Sequence, residues 1–233
     1  MPTEVPYGAP YQKVTYAPSH REAYLRVRGD ALRALLDDTR PQQPKRVLEV
    51  GCGPGLSLSH LGQAGGVELV GLDESPAMLR TASANIRANG ARADLVRGSA
   101  LQLPFADETF DFVYATRFIH LFQDKEAVVR EFQRVARPGA TVAIEFYGRP
   151  FHLLAYLRQR PMPSLSEYLS HFPRLSEVRR LVGPAAQFIP LRLGGERVLR
   201  RMVGDTRMRR ILSRIWPTTG RLAVAEYLAV FTR

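Results

Sequence analysis

The chain is 233 residues long, 45% hydrophobic and 24% charged, a balance that suits one globular domain with a substantial core and excludes a disordered chain. It carries a net charge of +11 and a single cysteine, so no internal disulfide can form, and its apolar runs fall short of the roughly 20 residues a membrane-spanning helix needs. The five histidines (His20, His60, His120, His152 and His171) lack metal-ligand spacing, and Met1 to Ala9 does not read as a secretory leader; a cytoplasmic protein without a bound metal is expected.

Residues 1–20 are rich in proline and tyrosine. A helical pattern then runs from about Ser19 to Asp38, with Ser19 and Glu22 at capping-box spacing. After Pro41 and Pro44, strands and helices alternate, the pattern of a parallel sheet wrapped by helices. Strands are predicted over 46–50, 67–72, 93–97, 110–115 and 140–146, and helices over 56–63, 76–89 and 125–135. Beyond residue 147 the alternation breaks. Helices are expected near 151–158, 165–171, 176–181 and 196–216, with a strand at 187–191 and a closing strand at 222–232. The expected architecture is α/β: a doubly wound, mostly parallel sheet with a helical cap inserted after strand five. One domain would hold an N-terminal lid and helix (1–40), a core (41–146), a basic helical cap (147–220) and the closing strand (221–233).

The charge is unevenly placed. Residues 149–233 hold 16 arginines, no lysine and 5 acidic residues, which is the whole positive surplus. Between Glu196 and Arg221, Leu199, Met202, Val203, Met208, Ile211, Leu212 and Ile215 follow helical spacing beneath an arginine-rich face. Three readings stand: a solvated face over an apolar cap, contact with an anionic substrate or peripheral membrane surface, or contact with RNA or DNA. Against nucleic acid, the basic stretch lacks the interleaved aromatics that stack bases.

The most informative segment is Val47-Leu48-Glu49-Val50-Gly51-Cys52-Gly53-Pro54-Gly55-Leu56. A short apolar strand carries an acidic residue near its end and then breaks into glycines at every second position. Without a Cβ, such a turn lets backbone N–H groups approach a ligand. A dinucleotide fingerprint, G-x-G-x-x-G, would need its third glycine at Leu56, whereas it falls at Gly55; a plain strand-to-helix turn is the other alternative. Cys52 reads as a small filler more readily than as a nucleophile. Open parallel sheets bind ligands beyond the carboxyl ends of their strands. Asp73 stands at the end of the second strand, 22 residues beyond Gly51, where a carboxylate can accept both hydroxyls of a ribose.

Three further segments agree with the glycine turn in type, order and spacing: Gly71-Leu72-Asp73-Glu74-Ser75-Pro76-Ala77-Met78-Leu79, Leu103-Pro104-Phe105 with Phe110-Asp111, and Glu131-Phe132-Gln133-Arg134-Val135-Ala136-Arg137-Pro138-Gly139. Together they resemble the class I S-adenosylmethionine-dependent methyltransferases of bacterial small-molecule and quinone biosynthesis, over about residues 40–146. The resemblance implies a Rossmann-like fold, S-adenosyl-L-methionine as cofactor and S-adenosyl-L-homocysteine as product. It implies that Glu49, Gly51, Gly53 and Gly55 hold the methionine portion and that Asp73, with Glu74 beside it, holds the ribose. Met78 would pack beside the adenine, Ser99, Ala100 and Leu101 would frame its edge, and Thr116 and Arg117 would line the crevice. The family usually has Asp where Ser99 stands; a lost charge-assisted hydrogen bond would cost about 1–2 kcal/mol of affinity, leaving the N–H of Ala100 as the main contact.

On the acceptor side, His120 is the candidate general base. Tyr147 and His152 follow strand five, Tyr16 and His20 sit on the N-terminal lid, and Arg117 could meet a substrate carboxylate or phosphate. The expected reaction is O-, N- or C-methylation of a small organic acceptor. The alternatives are a nucleic-acid methyltransferase using the arginine-rich third, and a non-catalytic S-adenosylmethionine-binding regulatory protein; a nicotinamide-dependent dehydrogenase is more distant.

Overall fold

A computed structural model of the chain describes residues 18–38, 45–63, 66–147, 172–193 and 224–233. Helix α1 (Pro18–Asp38) is followed by β1 (Lys45–Val50), α2 (Leu56–Gly62), β2 (Val67–Asp73), α3 (Pro76–Ala88), β3 (Asp94–Arg97) and β4 (Phe110–Ala115). A 3-10 turn (Ile119–Leu121), α4 (Lys125–Val135), β5 (Ala136–Tyr147), α5 (Leu175–Val182), β6 (Gln187–Leu193) and β7 (Val224–Thr232) complete them. The seven strands form one sheet in the order β3-β2-β1-β4-β5-β7-β6. β1 to β5 run parallel, and β7 lies antiparallel between β5 and β6. The strand order reverses between β1 and β4, which creates the topological switch point at which such sheets bind ligands.

Strand periodicity sorts the core into two layers. On one face Val47, Leu69, Phe112, Ala143 and Leu228 pack with Leu32 and Leu36 of α1, Leu58 and Leu61 of α2, and Ala82 and Ile86 of α3. On the other, Leu48, Val70, Val113, Ile144 and Ala229 pack with Val128, Val129 and Phe132 of α4 and Val178 and Val182 of α5. Buried on both sides, the central strands read as continuous apolar runs. The doubly wound, mostly parallel architecture is therefore as expected, and helix starts follow local chemistry. The Ser75 hydroxyl accepts the Met78 N–H with Pro76 in the first turn of α3, and the Asp124 carboxylate accepts the Ala127 N–H at the start of α4.

Two expectations need correction. β5 begins at Ala136, not Ala140: Ala136 pairs with Phe110 before an irregularity, and regular pairing resumes at Thr141 with Phe112. Pro138 and Gly139, which fall between the expected helix and strand, sit inside that irregularity, with Gly139 at φ 80°. Nor is the described part of the 147–220 segment a cap. Helix α5 packs on the sheet and β6 is its edge strand, with Pro190 at a shift of register, a position where a missing N–H is tolerated. The helices expected over 151–158, 165–171 and 196–216, and the arginine-rich stretch 197–221, lie outside the described residues.

The loop from β3 to β4 is held from behind by one arginine. Arg134 of α4 donates to both Glu131 oxygens at 2.8 Å, to Asp107 at 2.8 Å, and to the carbonyls of Leu103 at 3.0 Å and Phe105 at 2.8 Å. Glu131 in turn accepts the Leu103 N–H at 2.7 Å, and the guanidinium holds the Glu131 carboxyl below its ordinary range. Arg134→Ala should lower stability by about 2 kcal/mol, read as a lower urea midpoint with an unchanged slope.

Candidate functional site

The site begins where β1 gives way to the glycine turn. The N–H groups of Gly51 and Cys52 both donate to the Leu72 carbonyl, at 2.8 and 2.9 Å, folding the turn across the end of β2. Gly51 has φ 70°, and a Cβ there would lie 2.1 Å from the Phe118 ring, so an aromatic side chain from beyond β4 rests directly on the turn. At Gly55, with φ 73° at the start of α2, a Cβ would come within 2.9 Å of Ala82 on α3. The close approach that a dinucleotide fingerprint assigns to a later glycine is made here one residue earlier.

The turn is joined to the end of β2 by Asp73. One carboxylate oxygen accepts the Gly53 N–H and the other the Ser75 N–H, both at 2.9 Å. Each oxygen keeps a further lone pair, and the side chain is only half buried. Among the described residues nothing lies within 4 Å of where a Cβ on Gly53 would stand. A half-exposed acceptor pair thus faces open space beside a bare backbone, a fit for a ligand with vicinal hydroxyls. Glu74 is exposed, and Met78 is half buried at the start of α3. Ser99 closes a tight turn by accepting the N–H groups of Leu101 and Gln102; Ala100 is buried, while the Leu101 side chain is 50% exposed. A large apolar side chain held in water at this edge suits a flat heterocycle.

Glu49 differs from a simple ligand-facing group. It lies on the α1 face of the sheet and is 1% exposed. The Tyr114 hydroxyl donates to one oxygen at 3.1 Å and the Thr116 hydroxyl to the other at 3.2 Å. Burial pushes the carboxyl up to about 7; the Arg28 charge and hydrogen bonds from Tyr114, Thr116 and Ser57 pull it part of the way back. The same burial, with the charges of Glu49 and Asp73, raises the Cys52 thiol well above its usual range. A protonated, buried thiol is a filler and not a nucleophile.

Beyond β4, Arg117 adopts φ 54°, a conformation uncommon outside glycine. Its Nε donates to the Tyr147 hydroxyl at 3.0 Å. The His120 ring packs edge-on to Tyr147 at 4.9 Å and stacks near Phe172 at 6.3 Å, and Tyr147 meets Phe172 at 5.8 Å. His120, Arg117 and Tyr147, named separately from sequence, therefore form one group. Tyr16 and His152 lie outside the described residues; His20 falls on α1, with its side chain outside them too. Sequence reasoning missed Arg28, Ser57, Tyr114, Phe118 and Phe172. Only Arg28 carried a signal: it stands four and eight residues before the buried Leu32 and Leu36, in the stripe that faces the core.

A glycine turn and a half-exposed carboxylate at the switch point of a sheet whose last strand runs antiparallel match the class I methyltransferase architecture. Residues 48–144 match a family model described as a methyltransferase domain. Norajmaline N-methyltransferase of Rauvolfia serpentina is 37% identical over 128 residues, which cover 54% of this chain and 44% of that one. Ajmaline N-methyltransferase of the same organism is 31% identical over 190 residues, 79% of this chain and 61% of that one. The chain thus spans about half the length of these curated relatives. Among solved structures, the PH0226 protein of Pyrococcus horikoshii OT3 shares the fold with a TM-score of 0.65 at 22% identity, over 97% of this chain and 99% of that one. Over residues 48–144 the chain thus carries a methyltransferase domain, and the comparisons bear out its resemblance to the class I S-adenosylmethionine-dependent methyltransferases.

Because Glu49 has a folded-state value near 7 against an ordinary 4.5, the folded protein binds the extra proton between those values. Its contribution to stability is present below about pH 4.5 and is lost as pH rises through 7. Glu49→Gln removes this dependence. The melting-temperature advantage of that variant over wild type should grow from pH 5 to pH 8, measured by thermal unfolding at each pH.

Proposed function

We propose that the chain transfers a methyl group from S-adenosylmethionine to a small organic acceptor. The observation that carries this reading is the Asp73 carboxylate locked to the Gly53 N–H at the switch point. Asp73 is suited to the ribose hydroxyls, with Glu74 beside it. Gly51, Gly53 and Gly55 are suited to the methionine portion above Glu49, and Met78, Ser99, Ala100 and Leu101 to the adenine. The two plant-type relatives are named for norajmaline and ajmaline, which favours a small molecule over RNA or DNA as acceptor, and turnover over a purely regulatory role. Among the described residues no helix is long and apolar enough to cross a membrane, and we assign the activity to the cytoplasm.

The donor supplies an already activated methyl group on a positive sulfur. The work left to the chain is to fix that group in line with the acceptor and keep the approach dry, which can account for much of the rate. Phe118, resting on Gly51, screens the turn from the acceptor side. The His120, Tyr147 and Phe172 rings offer an apolar wall with two polar edges. Where the acceptor must lose a proton, His120 is the group to take it, held in place by Tyr147; Arg117, bonded to Tyr147, sets the orientation of the phenol.

Asp73→Ala should weaken S-adenosylmethionine binding at least tenfold by calorimetry, with the fold retained; unchanged affinity would remove the donor site. His120→Gln should lower kcat by about a hundredfold on an acceptor that loses a proton, while donor affinity stays within twofold of wild type.

A further inference from the structure

The α1 face of the sheet is apolar along most of its length but turns polar at its carboxyl edge. Glu49, Thr116, Glu145 and Glu226 are all buried there, and the one guanidinium buried among the described residues is Arg28 of α1, 6% exposed. Arg28 reaches three elements. Its Nη2 donates to the Ser57 hydroxyl in the first turn of α2 at 3.0 Å, its Nη1 lies 3.7 Å from a Glu145 oxygen on β5, and its charge favours the ionised form of Glu49 on β1. β1 and α2 are the two elements that flank the glycine turn.

The helix that carries Arg28 is seated closely. A Cβ on Gly29 would lie 2.3 Å from the His60 ring on α2, Asp30 stands 3.6 Å from that ring, and Arg33 donates to the Leu61 carbonyl at 3.2 Å. Glycine at position 29 is what lets α1 approach α2 this nearly. Displacing α1 would withdraw the one cation that the described residues bury beside these carboxylates, a costly state; conversely, anything that fixes the turn holds α1 down.

We infer that Arg28 is a positioning residue for the donor: by tying Ser57 of α2 to the Glu145 carboxylate of β5, with its charge acting on Glu49, it fixes the glycine turn, so that docking of the N-terminal helix and donor binding are coupled. Coupling between two such events is reciprocal. The inference rests on the donor site proposed above. Among the described residues the groups facing Glu49 are Arg28 from α1, Ser57 from α2, Tyr114 from β4, Thr116 just beyond it, and Cys52 from the turn, with Glu145 from β5 reached through Arg28. Of these only Arg28 is a cation, and its loss leaves Glu49 harder to ionise.

The test is S-adenosylmethionine binding by calorimetry from pH 6 to pH 9 for wild type, Arg28→Met, Arg28→Lys and Ser57→Ala. Arg28→Met should weaken donor binding about tenfold at pH 7.5 and move the onset of binding to higher pH. Arg28→Lys keeps the charge but not the two-pronged reach; it should restore the pH onset and only part of the affinity. Ser57→Ala, which leaves no buried charge unpaired, should cost a few-fold in affinity and decides the matter if Arg28→Met does not fold. Saturating donor should also slow proteolysis of α1 in wild type and not in Arg28→Met. Equal affinity and pH onset in wild type and the variants would overturn the inference while leaving the donor site standing; absence of donor binding in wild type would overturn the donor site itself.

Discussion

Taking a carboxylate or a guanidinium out of water costs several kcal/mol per ion, recovered only if the partner geometry satisfies the remaining lone pairs and protons. That constraint governs the carboxyl edge of this sheet. Glu49 is buried beneath the turn and is bonded to the hydroxyls of Tyr114 on β4, of Thr116 just past its end and of Ser57 on α2, with the charge of Arg28 acting on it. Each hydroxyl reaches the carboxylate only if its own backbone is correctly placed. Tyr114 on β4 and Thr116 just past its end stand two residues apart, and Glu49 lies in register with Tyr114, so parallel pairing brings the donors to the acceptor. The glycine turn thus grows out of a strand end whose position is fixed by polar bonds in a dry place, where they are stronger than at the surface.

Two carboxylates near this turn do different work because their surroundings differ. Glu49 is enclosed, and its environment favours the neutral form by burial, in part offset by Arg28. Asp73 is half exposed and accepts two backbone N–H groups, so it presents lone pairs outward from a fixed direction. The enclosed group organises the backbone; the open one is available to a ligand. The stability cost of keeping Glu49 in place is the kind of local conflict that functional sites carry.

The glycine turn, Asp73 and the parallel core were legible because their causes are local or periodic. Positive φ at Gly51 and Gly55 demands glycine whatever surrounds it, and apolar runs of strand length reveal buried strands. What stayed hidden depends on pairs far apart in the chain. Arg28 meets Ser57 and Glu145, Phe118 lands on Gly51, and Phe172 joins His120 and Tyr147; no pattern in the intervening residues announces these meetings. The start of β5 was misplaced for the opposite reason. Pro138 and Gly139 are strong local breakers, and the sheet accommodates them through an irregularity in pairing. Glu49 was recognised by its place in the motif, but its burial follows only from the packing of α1 over the sheet.

The segment after β4 joins the two halves of the site through adjacent residues. Thr116 donates to Glu49 beneath the turn, and Arg117 donates to Tyr147 in the aromatic group. Between them the backbone turns through the left-handed conformation at Arg117, which costs a non-glycine residue on the order of 1–2 kcal/mol and persists because the hydrogen bonds on both sides hold it. The next residue, Phe118, is thereby delivered onto Gly51. Tyr147, on the proposed acceptor side, is thus tied through Arg117 and one peptide unit to Thr116 and Glu49, and through Phe118 to the turn. For the proposed transfer, whose rate would depend on alignment of two reactants, a short link between their supports is of more use than an additional reactive group.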